Sequence, residues 1–458
     1  MPRQRYFADA IPRIRGAVLR LGVLVSFGVF APPSPAQLLA SAQSAPASRT
    51  VCVQPPGNGS KIVPTLDLPL IKPISGAPSL KNPLVSDDTK TLVMLTLGDS
   101  AMWGNGLNIG HKYSHQVAQD VANATGRSVH LVSYAHSGAN LSTENGSSYE
   151  PLKPADNGTP PGDLNAWFPT TLQQEACAAS NDKTQDAEIV LLNGCINDVS
   201  ALKISLPFPL SGATANEITR RSHQQCSDKM LTLIRNTQQD FLQATIIVSN
   251  YWRIVSDKSS PIGVAMAKNS SESTPADLLL QAQMNQLLQA ELKAEKLTDQ
   301  TVTTGDALID RGSIFLKWGD NSAAFLKASQ GCFTWAVATA DGTTALPNNP
   351  AEDECPTVTF PPVQRVTNNL RVFLATVPDD PNFSYGAPHK HIWIVPINAV
   401  YRADERYKER LKLCRSHYVD LGNLFICRIN PTAHPNLIGA NSFRDSIDQI
   451  LKTAWQAR

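Results

Sequence analysis

Three features of the sequence predict an α/β fold, a doubly wound and mainly parallel five-stranded sheet flanked by helices. Short uninterrupted apolar runs recur along the chain, stretches with helical spacing lie between them, and the residues with chemical potential sit at the carboxyl ends of the runs. Strands covered on both faces read as continuous apolar segments, and their alternation with helices makes a parallel sheet.

The runs appear in order. Leu92-Val93-Met94-Leu95-Thr96-Leu97 is the first, followed by Val129 to Tyr134, Ile189 to Leu192, Thr245 to Ser249 and Leu370 to Ala375. Each has strand length rather than helix length. Between the third and fourth runs, Ile218 to Phe241 carries Cys226, Met230, Leu233, Ile234 and Phe241 on one helical face. A Gln/Leu/Ala-rich stretch opens at Thr274-Pro275, a pair that suits a helix N-terminus. Near the end of the chain, Phe443, Ile447, Ile450, Leu451 and Trp455 recur at helical spacing, as a helix packed on the sheet requires.

Ahead of the first strand the chain reads differently. Arg3, Arg5, Arg13, Arg15 and Arg20 precede the uncharged run Leu21 to Ala31, and Ala40-Ser41-Ala42 supplies small residues for cleavage. That order is the pattern of a signal peptide, residues 1–42, with Ala36 as an alternative cleavage point. The apolar run of 11 residues is short of the roughly 20 that span a bilayer, so export to the extracellular space or periplasm is expected, without a stable membrane span. An uncleaved anchor is the competing reading. Residues 43–90, rich in Pro, Ser and Gly, read as an extended lead-in, and 91–458 as the folded domain.

Without residues 1–42, 35 Lys+Arg stand against 38 Asp+Glu. This near-neutral, slightly acidic balance argues against nucleic acid as a partner. Eight cysteines remain, an even number that suggests disulfides in an exported chain, and none shows C-x-x-C spacing. Proximity favours Cys332 with Cys355 and Cys414 with Cys427, with Cys177–Cys226 a weaker choice. Residues 300–365 break the strand–helix alternation and read as a disulfide-tied insertion.

Gly98-Asp99-Ser100 follows the first strand directly and places a serine at its carboxyl end, where ligands bind in such sheets. A serine hydroxyl needs a neighbouring base, and donors for the oxyanion formed on attack. Tyr134-Ala135-His136-Ser137-Gly138-Ala139-Asn140 ends the second strand, Leu192-Asn193-Gly194-Cys195-Ile196-Asn197-Asp198 the third, and Ala433-His434-Pro435-Asn436 precedes the last helix. In the third segment a helix N-terminal cap is the structural alternative for Asn197-Asp198.

These four segments, in this order, resemble the four blocks of the SGNH (GDSL-type) hydrolase family over roughly residues 91–455. Ile247-Val248-Ser249-Asn250-Tyr251-Trp252 and Tyr385-Gly386-Ala387-Pro388 with Trp393 are similar to segments of its secreted, cysteine-containing esterases and lipases. The resemblance implies a carboxylic-ester hydrolase acting through an acyl-serine intermediate. Ser100 would be the nucleophile and His434 the general base and acid. The oxyanion would be held by the backbone N–H groups of Ser100 and Gly138 and the side-chain amide of Asn197. Asp99 has a structural role in that family. No cofactor or metal is implied, and the substrate would be a small-molecule, lipid or sugar ester. An acyltransferase using the same serine and a catalytically silent binding module are the alternatives.

Two positions depart from the family pattern. Cys195 stands where glycine is usual, and Pro431 stands where the family often carries the aspartate that orients the histidine. Asn430 could accept a bond through its carbonyl oxygen, and the expectation is a Ser–His dyad whose histidine is oriented by main-chain carbonyls, as in some members of that family, with Asp420 a distant carboxylate that could assist. Trp103 and Trp252 are read as core aromatics ahead of a sugar or acyl site, and His136 as surface or hydrogen-bonded. His111 and His115 receive no role. His389 and His391 lack the Cys, Asp or Glu neighbours a zinc site needs.

Overall fold

In the computed structural model the apolar runs become strands of one sheet. Residues 62–75, 90–142, 161–164, 168–205, 213–254, 313–341, 371–376, 412, 414–416 and 434–456 are described, all within the compact unit Thr50–Arg458. The strands are β1 (Leu66–Ile71), β2 (Leu92–Leu97), β3 (Val129–Ser133), β4 (Ile189–Leu192), β5 (Thr245–Ser249) and β6 (Val372–Ala375). They lie in the order β1-β3-β2-β4-β5-β6. All neighbours from β3 to β6 run parallel, while β1 is antiparallel to β3.

The fold is therefore α/β with a largely parallel, mixed sheet. Its centre is the apolar sequence made physical: every residue of β4 and β5 is buried, as are Met94, Leu95 and Leu97 of β2. Each buried Val, Leu or Ile side chain contributes on the order of 1.5–3 kcal/mol to folding.

Among the described residues the sheet has six strands, against the expected five. The sixth, β1, falls in the stretch read as lead-in, and its sequence Leu-Asp-Leu-Pro-Leu-Ile hides it. Proline cannot donate to a ladder and is tolerated on an edge, where one side of the strand needs no partner. The register with β3 slips between Leu68 and Ile71, and Leu70 adopts φ 82° at the slip. Thr65 Oγ1 ties the edge down by donating to the carbonyls of Ser133 and Ala135, at 2.9 and 2.8 Å.

The helices are α1 (Ser100–Trp103), α2 (Tyr113–Thr125), α3 (Thr171–Ala179), α4 (Ile196–Val199), α5 (Ala201–Ser205), α6 (Ala215–Asp240), α7 (Ser313–Asp341) and α8 (Leu437–Gln456). Local chemistry starts and stops several of them. Thr170 and Gln173 form a reciprocal capping box at α3, Thr214 caps α6, and Gly126 ends α2 in the left-handed conformation. The expected apolar face of α6 is buried, and α8 buries Phe443, Ile447, Ile450 and Leu451. Phe443 stacks on Tyr113 of α2 with ring centroids 5.2 Å apart. Among the described residues, no helix is long and apolar enough to cross a membrane.

Within residues 300–365, α7 is a helix of 29 residues that packs along α6, and its Cys332 is disulfide-bonded. Cys177 and Cys414 are also disulfide-bonded, but the pairing of Cys177 with Cys226 does not occur. Cys226 is joined to Cys195 instead. The observed partners are 31 positions apart, closer in sequence than Cys177 and Cys226, and α6 brings Cys226 back over the carboxyl end of β4. Cys355, Cys427, the amino-terminal 1–42 and the stretch after Thr274-Pro275 lie outside the described residues.

Candidate active site

The carboxyl end of β2 leads directly into the turn that carries the serine. Gly98 stands at φ 157°, and a β-carbon there would collide with the Asn193 side chain. That close approach is used. Asn193 Oδ1 accepts from Asp99 N–H at 3.0 Å, and its amide nitrogen donates to Asp99 Oδ1 at 3.0 Å. Gln174 clamps Gly98 from the other side, accepting from its N–H at 2.7 Å and donating to its carbonyl at 3.0 Å. The strand-to-helix turn is thereby fixed on both flanks.

Asp99 caps α1 by accepting from Ala101 N–H at 2.9 Å. Its other oxygen accepts from the Tyr251 hydroxyl at 2.5 Å. The carboxylate is fully buried, and that burial pushes its pKa up. Burial and the Asp99 charge hold the Tyr251 hydroxyl well above its usual range, so it remains a donor. Asp99 is thus enclosed by structural partners, as the sequence reading expects.

Ser100 begins α1 with its side chain nearly buried, and its Oγ lies 2.7 Å from Nε2 of His434. The two residues are 334 positions apart in sequence. His434 lies three residues ahead of the first residue of α8, and the Trp252 ring meets its imidazole edge-on with centroids 6.3 Å apart. Trp252 also meets Phe443 edge-on at 5.9 Å, so the histidine is packed through the aromatic face of α8. Asp420, Asn430 and Pro431 lie outside the described residues.

Gly138 sits on the loop after β3 at φ 82°, a conformation glycine adopts without steric cost. Among the described residues, neither its N–H nor that of Ser100 donates a hydrogen bond. Asn197 lies in the middle of α4 and donates one amide hydrogen to the carbonyl of Ala139 at 2.9 Å. An amide nitrogen carries two hydrogens, so the bond to Ala139 orients the side chain and leaves a second donor. The loops after β2, β3 and β4 are therefore stitched together at one edge of the sheet.

Asp198 does not cap a helix. Its carboxylate accepts from the N–H of Leu141 at 2.7 Å and of Ser142 at 3.4 Å, binding α4 to the loop after β3. Burial raises its pKa to about 7. The cap of α4 is Cys195, at φ 110° and ψ −32°, and its other end is Ser200 at φ 87°. Non-glycine residues in such conformations cost on the order of 1–3 kcal/mol each and persist only where the surroundings hold them.

The remaining singled-out residues are structural. Trp103 is buried and donates from Nε1 to Asp163 Oδ1 at 2.7 Å. Lys112 lies over its ring at 4.0 Å and donates to the carbonyls of Trp103 and Gly104, both at 2.8 Å, closing the end of α1. His136 is buried, with Nδ1 3.0 Å from the Ser137 carbonyl and Nε2 2.8 Å from that of Pro169, and burial lowers its pKa. No group of three or more His, Cys, Asp or Glu is placed to hold a metal among the described residues, and His389 and His391 fall outside them.

Sequence reading missed Asn193, Gln174, Tyr251 and the Cys195–Cys226 bond. Asn193 and Tyr251 directly follow or nearly follow buried strands, which was the available signal. Gln174 carried none, since a glutamine in a helix is ordinary.

No protein-family model matches the chain, and no curated protein does. Among solved structures, it is similar to an extracellular lipase from Streptomyces rimosus at 10% identity and TM-score 0.36, covering 78% of this chain and 99% of that one. A family two carbohydrate esterase from Clostridium thermocellum, in complex with cellohexaose, aligns at 12% identity and TM-score 0.31 over 80% of this chain and 66% of its own. Phospholipase A1 from Streptomyces albidoflavus NA297 aligns at 11% and 0.27, over 56% and 77%. At such identities and scores, fold and chemistry are read from this chain's own residues.

Proposed function

We propose that this chain is a serine carboxylic-ester hydrolase of the SGNH kind, exported by its amino-terminal segment, and that Ser100 is its nucleophile. The observation that carries the reading is the 2.7 Å approach of Ser100 Oγ to His434 Nε2 at the carboxyl edge of the sheet. A hydroxyl becomes nucleophilic when a positioned base takes its proton as the bond to carbon forms.

Ser100 Oγ attacks the ester carbonyl while His434 Nε2 accepts the hydroxyl proton. The oxyanion that develops is received by the N–H groups of Ser100 and Gly138 and by the free amide hydrogen of Asn197. Collapse expels the alcohol, which takes the proton from His434, and leaves an acyl group on Ser100. Water then attacks the acyl carbonyl as it loses a proton to His434, and collapse returns that proton from His434 to Ser100 Oγ as the acid leaves. No cofactor takes part. Ser100 and His434 are the two residues that move the proton, and Trp252 packs edge-on against the imidazole.

The test is fluorophosphonate labelling followed by peptide mapping, alongside hydrolysis of a p-nitrophenyl ester series of increasing acyl length. Label on Ser100, and its loss in Ser100→Ala together with turnover, is the expected result. A folded wild-type protein that takes no label at Ser100 would sink the reading. Adding an alcohol acceptor to the same assay separates hydrolysis from acyl transfer.

A further inference from the structure

We propose that the Cys195–Cys226 disulfide is a positioning device for Asn197, resting on the reading above that Asn197 helps to hold the oxyanion. Asn197 sits on a helical turn of only four residues, bounded by Cys195 at φ 110° and Ser200 at φ 87°. The carbonyl of Cys195 accepts the hydrogen bond of Val199 N–H at 3.1 Å, so the peptide orientation at Cys195 sets the orientation of the turn. A residue with a β-carbon relaxes from such a φ unless it is held.

Three other anchors act on this turn, and one of them, at Ile196 N–H, holds the far side of the Cys195–Ile196 peptide. Ile196 N–H donates to the Tyr251 hydroxyl at 3.2 Å, Asn197 donates to Ala139, and Asp198 accepts from Leu141 and Ser142. Cys195 has no side-chain cap hydrogen bond, and its side chain is fixed through sulfur to Cys226, a buried residue in the middle of α6. α6 is a long helix packed against α7, so the tether ends on a rigid support. The cross-link thereby holds the φ of Cys195, whose relaxation would swing the Asn197 amide away from the oxyanion.

A cross-link also restricts the unfolded chain, and this contribution must be separated from positioning. Comparing Cys195→Ala/Cys226→Ala with Cys195→Gly/Cys226→Ala does so, because both lack the bond and only the second tolerates φ 110° without it. On a p-nitrophenyl ester, the alanine pair is expected to lose about 10²-fold in kcat with little change in KM, approaching the loss of one oxyanion donor. The glycine pair is expected to recover to within a few-fold of wild type, while its melting temperature stays below that of wild type because it too lacks the cross-link.

Folding of the glycine pair alone, with near wild-type kcat, also supports the tether's role. Equal kcat in the two folded pairs overturns it. So does failure of both to fold, since the bond would then serve folding rather than placement of Asn197. A wild-type protein with no ester turnover overturns instead the hydrolase reading, a result visible before either variant is compared.

Discussion

The Tyr251 hydroxyl donates to Asp99 Oδ2 at 2.5 Å, joining the turn that presents Ser100 to the end of β5 across 152 positions of sequence. The same oxygen accepts from Ile196 N–H at the start of α4. One phenol thus spans the nucleophile's turn and the turn that carries Asn197.

Tyr251→Phe leaves Asp99 Oδ2 without this donor and Ile196 N–H without its acceptor, both in a buried setting. Leaving buried polar groups unpaired costs about 1–3 kcal/mol each, so the variant should be destabilised by at least that much. Urea unfolding of both proteins measures it. A loss within a few tenths of a kcal/mol would show that the hydroxyl carries no structural weight.

Asn197→Ala should reduce kcat by about 10²–10³-fold while KM changes little, because the amide acts where charge develops rather than where substrate first binds. Steady-state kinetics on a p-nitrophenyl ester decides this. A rise in KM at unchanged kcat would assign Asn197 to ground-state binding.

Trp252→Ala removes the aromatic wall between His434 and Phe443. The cavity should cost about 3–5 kcal/mol in stability, read by chemical denaturation, and the loosened imidazole should lower kcat more than it raises KM. Unchanged kcat in the folded variant would mean that His434 is held without Trp252.

Asp198 gives a pH signature. Burial lifts its pKa from the ordinary 3.8 to about 7, so the folded state keeps a proton that the unfolded chain has already released. Stability is therefore highest below the unfolded value, falls as pH rises from about 4 to about 7, and levels off above. Asp198→Asn has no such proton to lose, and its stability should fall less over that window. Parallel melting-temperature curves for the two proteins between pH about 4.5 and about 8 would contradict the assignment.

Much of this is legible in the sequence. The runs at Leu92, Ile189 and Thr245 mark strands β2, β4 and β5 at their observed limits, because strands buried on both faces are dominated by apolar residues, with Thr96, Thr245 and Ser249 as small buried polar members. Gly98, Gly138 and the segments holding Ser100, Asn197 and His434 could be singled out because they end those strands or precede the last helix. The edge strand β1 was not legible, since its proline and aspartate serve an exposed edge. Helix α7 was masked by neighbouring cysteines and prolines that suggested an irregular insertion.

Sequence by itself determined the alternation, the central strands and the residue types gathered at their ends, since these depend on local periodicity and on which side chains tolerate burial. Only the tertiary structure decided that Ser100 and His434 touch, that Trp252 backs the histidine, and that Cys195 joins Cys226 rather than leaving Cys226 to Cys177. Those contacts bridge loops from different strands and helices. Their distances are set by how the sheet twists and how α6 and α8 return over it, which no local pattern encodes.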